Sequence, residues 1–486
     1  MMRKALFAAT AAALVLSPVA SRAAEINEAG AQKLLDSLTY YLPKNVNDSG
    51  FLRVIPGSQR YELRMDFSAL LKDVDPKTFA IEGLKPISYF LTPQDDGMWK
   101  AELSDRLDVS GSFTADGKPS TFVYKIEKMT GDALYDPAIS FFRTSNSAYE
   151  NVAITTQTGA EMVDIAVAKA SQDMRLENVT DGRGDLVSNF GLSGLSETIN
   201  SPGQAGQVRI DAASMDGRVQ LDKAGLAPLR DLVVFVLDLI KSGQQNLTAE
   251  QNTRLKALIR ANVPLVDNLV EDIHIRDVKV NASNMTFSAA DIGYKLAFNG
   301  LKPDSRFEFE VSATDPTAPA GLLPPGTEGA LPKSLSFGMA MRSLNLEGMM
   351  TYLADHADFT KDQPLTPQQS EELGKIVLPD GKMNFEFTNV AAKSDVYDIA
   401  LTGTMQVDQA QSDKPNMNVD IVARDFDKTV KFLQDNAATA PEFGQGAFMA
   451  LMMKGFGREQ PDGSILWNVK MGADGEVFIN GQAMKM

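Results

Sequence analysis

The sequence predicts a mixed α+β protein: extended antiparallel β-sheets covered on one face by short helices, built from repeated helix-helix-strand-strand units. Three observations lead there. Apolar and polar residues alternate over many runs, the period of a half-buried strand. Helical runs with well-formed start signals interrupt them. One strand-to-helix junction also occurs twice: Leu346 to Ala357 aligns without gaps onto Phe426 to Ala437, an offset of 80 residues.

Residues 1–23 read as a secretory signal peptide. Arg3 and Lys4 supply the positive start, and Ala5 to Leu16 form an apolar core of 12 residues, too short to span a bilayer as a helix. Ser21-Arg22-Ala23 places small residues for cleavage after Ala23, so the mature chain is expected in the periplasm. Residues 24–58 open with a helix over Ala29 to Leu42, whose Ala31, Leu34, Leu35 and Leu38 share one face.

Residues 59–115 form a degenerate repeat unit. There Met65 to Lys72 echoes the strand-to-helix junction, and Asp96-Gly97 leads into a strand from Met98 to Leu103. Residues 116–212 are mainly β, with alternation over Thr121–Ile126, Val152–Thr156, Val163–Val167 and Val208–Ile210. Three fuller units follow at 213–314, 333–410 and 411–486. Phe337, Met339 and Met341 alternate before one helix, Met417, Val419 and Ile421 before its counterpart. Thr248-Ala-Glu-Gln251 and Thr366-Pro-Gln-Gln369 are capping boxes, the second with Pro367 at the first helical position. Asp380-Gly381 and Asp462-Gly463 are turns leading into strands, and each unit closes on a related strand: Tyr294–Gly300, Tyr397–Gly403 and Val477–Gly481. Residues 315–332 carry five prolines and three glycines and read as a linker.

Composition narrows the function classes. Hydrophobic residues at 44% and charged residues at 23% belong to a globular chain. The net charge of −16 argues against a nucleic-acid partner, and loss of residues 1–23 would deepen it to −19, with 44 basic against 63 acidic groups. With no Cys, disulfides, thiol nucleophiles and Cys-containing zinc sites are excluded. No transmembrane span is expected in the mature chain: the most apolar candidate, Leu226 to Ile240, carries Arg230, Asp231 and Asp238.

The search for chemistry assigns no catalytic, cofactor-binding or metal-ligating residue. His274 sits on a strand face with Asp272 and Arg276, and His356 lies in a helix where the aligned copy has Asn436; both read as solvated side chains. There is no nucleophile elbow, phosphate loop or dinucleotide fingerprint. Asp73/Asp75, Asp95/Asp96 and Glu371/Glu372 could serve as a carboxylate pair, yet each also reads as a turn or helix-start residue. The apolar runs Leu232–Ile240 and Phe448–Met453 are either buried helices or an apolar, Met-rich wall for a lipid or peptide.

The leader, the repeated strand–[Asp/Asn]–apolar-helix junction and the closing Gly472-Ala-Asp-Gly-Glu-Val-Phe-Ile-Asn-Gly481 together resemble the alphaproteobacterial family known as domain of unknown function 2125. That resemblance implies an exported protein of a Gram-negative envelope and carries no functional residue. The expectation is a non-catalytic periplasmic protein that binds a lipid or another envelope protein through an extended β surface. The alternatives are a carboxylate-dependent hydrolase of envelope glycans or esters, and a purely structural envelope protein.

Overall fold

The computed structural model describes residues 26–39, 48–72, 74–115, 117–139, 141–201, 206–242, 246–283, 285–319, 321–408, 411–439, 441–472 and 475–484. Residues 1–23, the expected leader, and the expected cleavage site lie outside them. The described residues form 21 strands of antiparallel sheet and seven helices, a mixed α+β protein that is mostly strand. The chain divides into two compact units. The first runs to Arg209 and adds Asp216–Asp267 and Asp358–Pro364; the second comprises Ile210–Met215, Asn268–Ala357 and Leu365–Met486.

The first unit opens with α1 (Glu28–Thr39), then β1 (Leu52–Pro56), β2 (Tyr61–Met65), β3 (Phe79–Glu82), β4 (Ile87–Pro93), β5 (Trp99–Ala115), β6 (Lys118–Asp136), β7 (Phe141–Thr158), β8 (Glu161–Thr180) and β9 (Arg183–Ser201). β1 pairs with β2, β2 with β4, and β4 with β5; from there β5 to β9 run as a meander, and β3 lies beside the other half of β5. At about 3.3 Å per residue, the longest strands extend roughly 60 Å. The expected N-terminal helix is α1, and residues 40–42, its expected last turn, lie outside the described set. Ala31 and Leu34 pack on Tyr61, Leu91 and Ala101, so α1 covers the sheet at β2, β4 and β5. The Asp66 side chain caps a short 3-10 turn, Phe67–Leu71, at the degenerate junction.

β10 (Gly206–Gly225) pairs with β9 and leads into the hairpin of α2 (Leu226–Ser242) and α3 (Ala249–Ala261). The predicted capping box at Thr248 is formed, each side chain of the pair bonding the other residue's backbone N–H. Phe235 is buried in the hairpin, with the Arg254 guanidinium 5.5 Å above its ring.

The second unit contains β11 (Asn268–Ala282), β12 (Met285–Phe298), β13 (Ser305–Thr314), β14 (Ser334–Leu344), α4 (Leu346–His356), α5 (Pro367–Val377), β15 (Lys382–Lys393), β16 (Asp398–Asp408), β17 (Gln411–Arg424), α6 (Phe426–Asp435), α7 (Pro441–Phe456), β18 (Arg458–Glu459), β19 (Ile465–Met471), β20 (Val477–Ile479) and β21 (Gln482–Met484). β11 to β17 pair in sequence, β19 follows β17, and β20 and β21 complete the order, with β18 also against β19. The order strand, helix, helix, strand occurs here as β14–α4–α5–β15 and, with the two-residue β18 before the last strand, as β17–α6–α7–β18–β19, and the two aligned helices begin at the aligned residues Leu346 and Phe426. Their caps differ. Asn345 accepts a bond from the Gly348 N–H, whereas Asp425 takes a left-handed conformation (φ 51°) and its side chain caps nothing. The Thr366 capping box forms as predicted, with Pro367 at the helix start.

The Pro-rich segment of residues 315–332 lies inside this unit, between the paired strands β13 and β14. Thr317 bridges to Ser288, and Thr327 is buried, its hydroxyl donating to the Pro324 carbonyl at 2.6 Å. Gly403 on β16 has φ +148°, and a Cβ there would overlap the Asn418 carbonyl and lie 2.6 Å from the Val419 Cα. Only glycine fits such an approach between backbones. Gly403→Ala is therefore expected to lower unfolding stability by about 1–3 kcal/mol. A denaturant titration matching the wild type would refute this account.

Candidate functional site

The registers of the second unit assemble its side chains into rows across the strands. One row reads Ile273, Tyr294, Val311, Phe337, Val390, Leu401, Ile421 and Trp467, from β11 to β19. Two residues along, the next runs through Leu296, Phe309, Met339 and Phe387 to Gly403 and Val419; the one beyond that through Phe298, Phe307, Met341, Phe385, Met405 and Met417. On the other flank lie Ile275, Ile292, Ala313, Leu335, Ala392, Ile399 and Ala423. Directly paired residues share a face, as do residues two apart, so the four rows form one apolar surface. A register shift between Phe387 and Val390 keeps β15 in phase. Glu271, paired with Leu296, is the one charged residue in these rows.

The intervening residues form a polar face that bonds to itself. The Arg306 guanidinium reaches Glu386 at 3.0 Å and Glu308 at 2.7 Å, Asn389 donates to Glu310 at 2.6 Å, and Asn468 donates to Asp420 at 2.7 Å. Arg424 and Lys393 both approach Asp398 and hold its carboxyl below the usual carboxylate range, the Lys393 hydrogen bond being the larger cause.

The apolar face is covered at one end and open elsewhere. At β17 and β19, Met453 and Phe456 of α7 and Phe426 of α6 pack on Ala423, Ile465 and Trp467, which are 1–6% exposed. The Trp467 indole N–H donates to the Met453 carbonyl at 2.7 Å, and its ring meets Phe426 edge-on at 5.2 Å. On β12, β13 and β14 the same rows face solvent: Ile292, Phe307, Val311, Leu335 and Phe337 are 36–43% exposed. The four rows run about 20 Å along the strands.

The first unit segregates its side chains in the same way. Leu107, Ile126, Val152, Val167 and Leu195 make one row, and Val109, Tyr124, Ile154 and Ile165 the next. Burial pushes the Tyr124 hydroxyl pKa up. The pair Thr155–Asp164 (2.7 Å) comes from the intervening positions, and Lys128 pairs with Glu150 (2.7 Å) across β6 and β7.

The residues that the sequence offered for chemistry are dispersed. His274 lies on the polar face between two carboxylates, its Nδ1 2.9 Å from Asp291 and its Nε2 3.3 Å from Asp272. His356 stacks on Tyr352 at 4.1 Å. Asp75 and Asp96 accept the N–H groups of Lys77 and Met98 in turns, and Asp73 lies outside the described residues. Glu371 pairs with Lys375 at 2.6 Å, while Glu372 accepts the Tyr352 hydroxyl at 2.7 Å, which lowers its pKa. Among the described residues no group of three or more His, Asp or Glu is placed to hold a metal ion, and no helix is long and apolar enough to cross a membrane. Of the two apolar helices, α2 buries Phe235 but exposes Val236 and Leu237, and α7 exposes Phe448, Met449, Leu451 and Met452.

Sequence reasoning identified several of these strands but not the open surface they make. Its clearest trace is Phe307-Glu-Phe-Glu-Val311, strict alternation in which Phe307 and Val311 are exposed.

The Asp291 hydrogen bond is the first cause raising the His274 pKa, with Asp272 adding to it and burial and Arg276 opposing. A raised folded-state pKa gives stability that is full below the unfolded value of about 6.5 and lost as pH rises through the folded value. Thermal midpoints are thus expected to fall across that window and to flatten in His274→Gln; an unchanged slope in the variant would contradict this. Compared with family models, curated proteins and solved structures, the chain matches none.

Proposed function

We propose that this is a non-catalytic, exported envelope protein that binds the hydrocarbon chains of a lipid along the apolar face of its second unit. One observation carries the reading: apolar rows with a single charged member, Glu271, open on β12 to β14, on a sheet whose opposite face is polar. A protein interface of ordinary composition has about one hydrogen bond per 100–200 Å². On β12 to β14 only the Tyr294 hydroxyl offers one from a row side chain, with Glu271 beside them on β11, and the backbone groups are engaged in the ladder. Hydrocarbon needs none.

The dimensions agree. Half of a bilayer's apolar core is about 15 Å, the span of one acyl chain, and the rows run about 20 Å. Covering the five most open row residues removes on the order of 400 Å² from water, a gross gain of about 10 kcal/mol. Association costs about 4–15 kcal/mol, so a single chain would be held reversibly.

Export and the envelope setting rest on the leader and on the resemblance to the domain of unknown function 2125 family; both belong to the proposal. The turn and ion-pair roles of the acidic pairs favour binding over hydrolysis.

Protein purified after export is expected to yield lipid on solvent extraction and mass spectrometry. The double variant Val311→Asp/Phe337→Asp, at exposed positions, should fold normally and lose most of that lipid. Wild-type protein that is empty from every preparation would overturn the proposal.

A further inference from the structure

We propose that α7 docks the protein on a lipid surface of uncharged or zwitterionic headgroups, by inserting Phe448, Met449, Leu451 and Met452. These four side chains are 62, 53, 47 and 43% exposed, and they fall within five consecutive residues of one helix. At about 200 Å² per large side chain they leave on the order of 400 Å² of apolar surface in water. Patches of that size on a soluble chain mark interaction sites.

The chemistry of the patch selects the occupant. A second copy docking patch to patch would bury only about 800 Å² in total, short of the roughly 1,200 Å² of a stable interface. No polar side chain lies between Phe448 and Met453 to orient a protein partner. A fluid hydrocarbon boundary accepts such a surface, with helices of this kind entering about 5–10 Å. The charges determine which lipid. Lys454, the one cation of α7, is ion-paired with Asp427, and the chain as a whole carries −16. Nothing here draws the helix to anionic headgroups, so insertion is driven by apolar contact and is insensitive to salt.

The position of α7 ties this surface to the sheet. Its last turn places Met453 and Phe456 on the cluster of Trp467 and Ile465, at the covered end of the apolar face. One helix thus joins the face proposed to hold acyl chains to the surface proposed to meet their source; that role in lipid uptake rests on the lipid-binding reading, whereas the docking itself does not.

The test is flotation of the full chain with phosphatidylcholine vesicles at low and high salt, beside size-exclusion chromatography with light scattering. Wild type should float equally at both salts and run as a monomer without vesicles. Phe448→Ser/Met452→Ser should cut the floated fraction about tenfold while retaining the native circular-dichroism spectrum and bound lipid. The sheet variant Val311→Asp/Phe337→Asp should still float. Docking is overturned if wild type stays unbound, if the helix variant floats like wild type, or if wild type is a dimer that the helix variant dissociates. Wild type that floats but never carries lipid would instead overturn the reading of the sheet.

Discussion

The structure depends on one constraint: the two-residue period of the pleat, kept in register from strand to strand. In the second unit the pairings carry apolar side chains from Ile273 to Trp467 in one line across eight strands. A slip of one residue in any ladder would turn a whole strand's apolar set to the polar side. Local irregularities protect the phase. The shift between Phe387 and Val390 brings β15 back into step, and Gly403 lets the β16 and β17 backbones approach where that adjustment falls.

The two faces then solve opposite problems. On one, Arg306 bonds Glu308 and Glu386, and Asn389 bonds Glu310, so much of the polar side is paired within itself, though Arg342 Nε is buried without a partner. Such exposed ion pairs contribute little stability each; their consequence is that this side needs no further layer. On the other face, area must be removed from water, and the helices do this only in places. α1 covers β2, β4 and β5 in the first unit, and α6 and α7 cover β17 and β19 in the second. Elsewhere in the second unit, on β12 to β14, Ile292, Phe307, Val311, Leu335 and Phe337 keep more than a third of their surface exposed. With no disulfide to supply stability, leaving that surface open has a real cost, and an occupant would recover it.

Much of the local structure was legible. Thr248 and Thr366 announce their helices because a capping box is a contact within four residues, and Pro367 fits only a helix start. The Asp-Gly pairs announce turns because Gly381 and Gly463 adopt positive φ (66° and 81°), which a side chain resists. In the Pro-rich residues 315–332 composition reports local stiffness, while the tie from Thr317 to Ser288 is a contact across 29 residues. The site was less legible. The strand of Phe307, Phe309 and Val311 was not identified, and Phe448 to Met453 fitted a buried helix as well as an apolar wall for a lipid or peptide.

The sequence by itself determined several of the strands and helices and which side of those strands is apolar, since these follow from backbone geometry over a few residues. It also determined the acidic charge and the absence of thiol chemistry. Only the tertiary structure decided which apolar sides are covered. Burial is set by whether a helix far along the chain lies over a strand, as α7 does for Trp467 and no described element does for Phe337. Alternation in a sequence is identical for a strand beneath a helix and for one that faces water, so the exposed face emerged only when the pairings were in place.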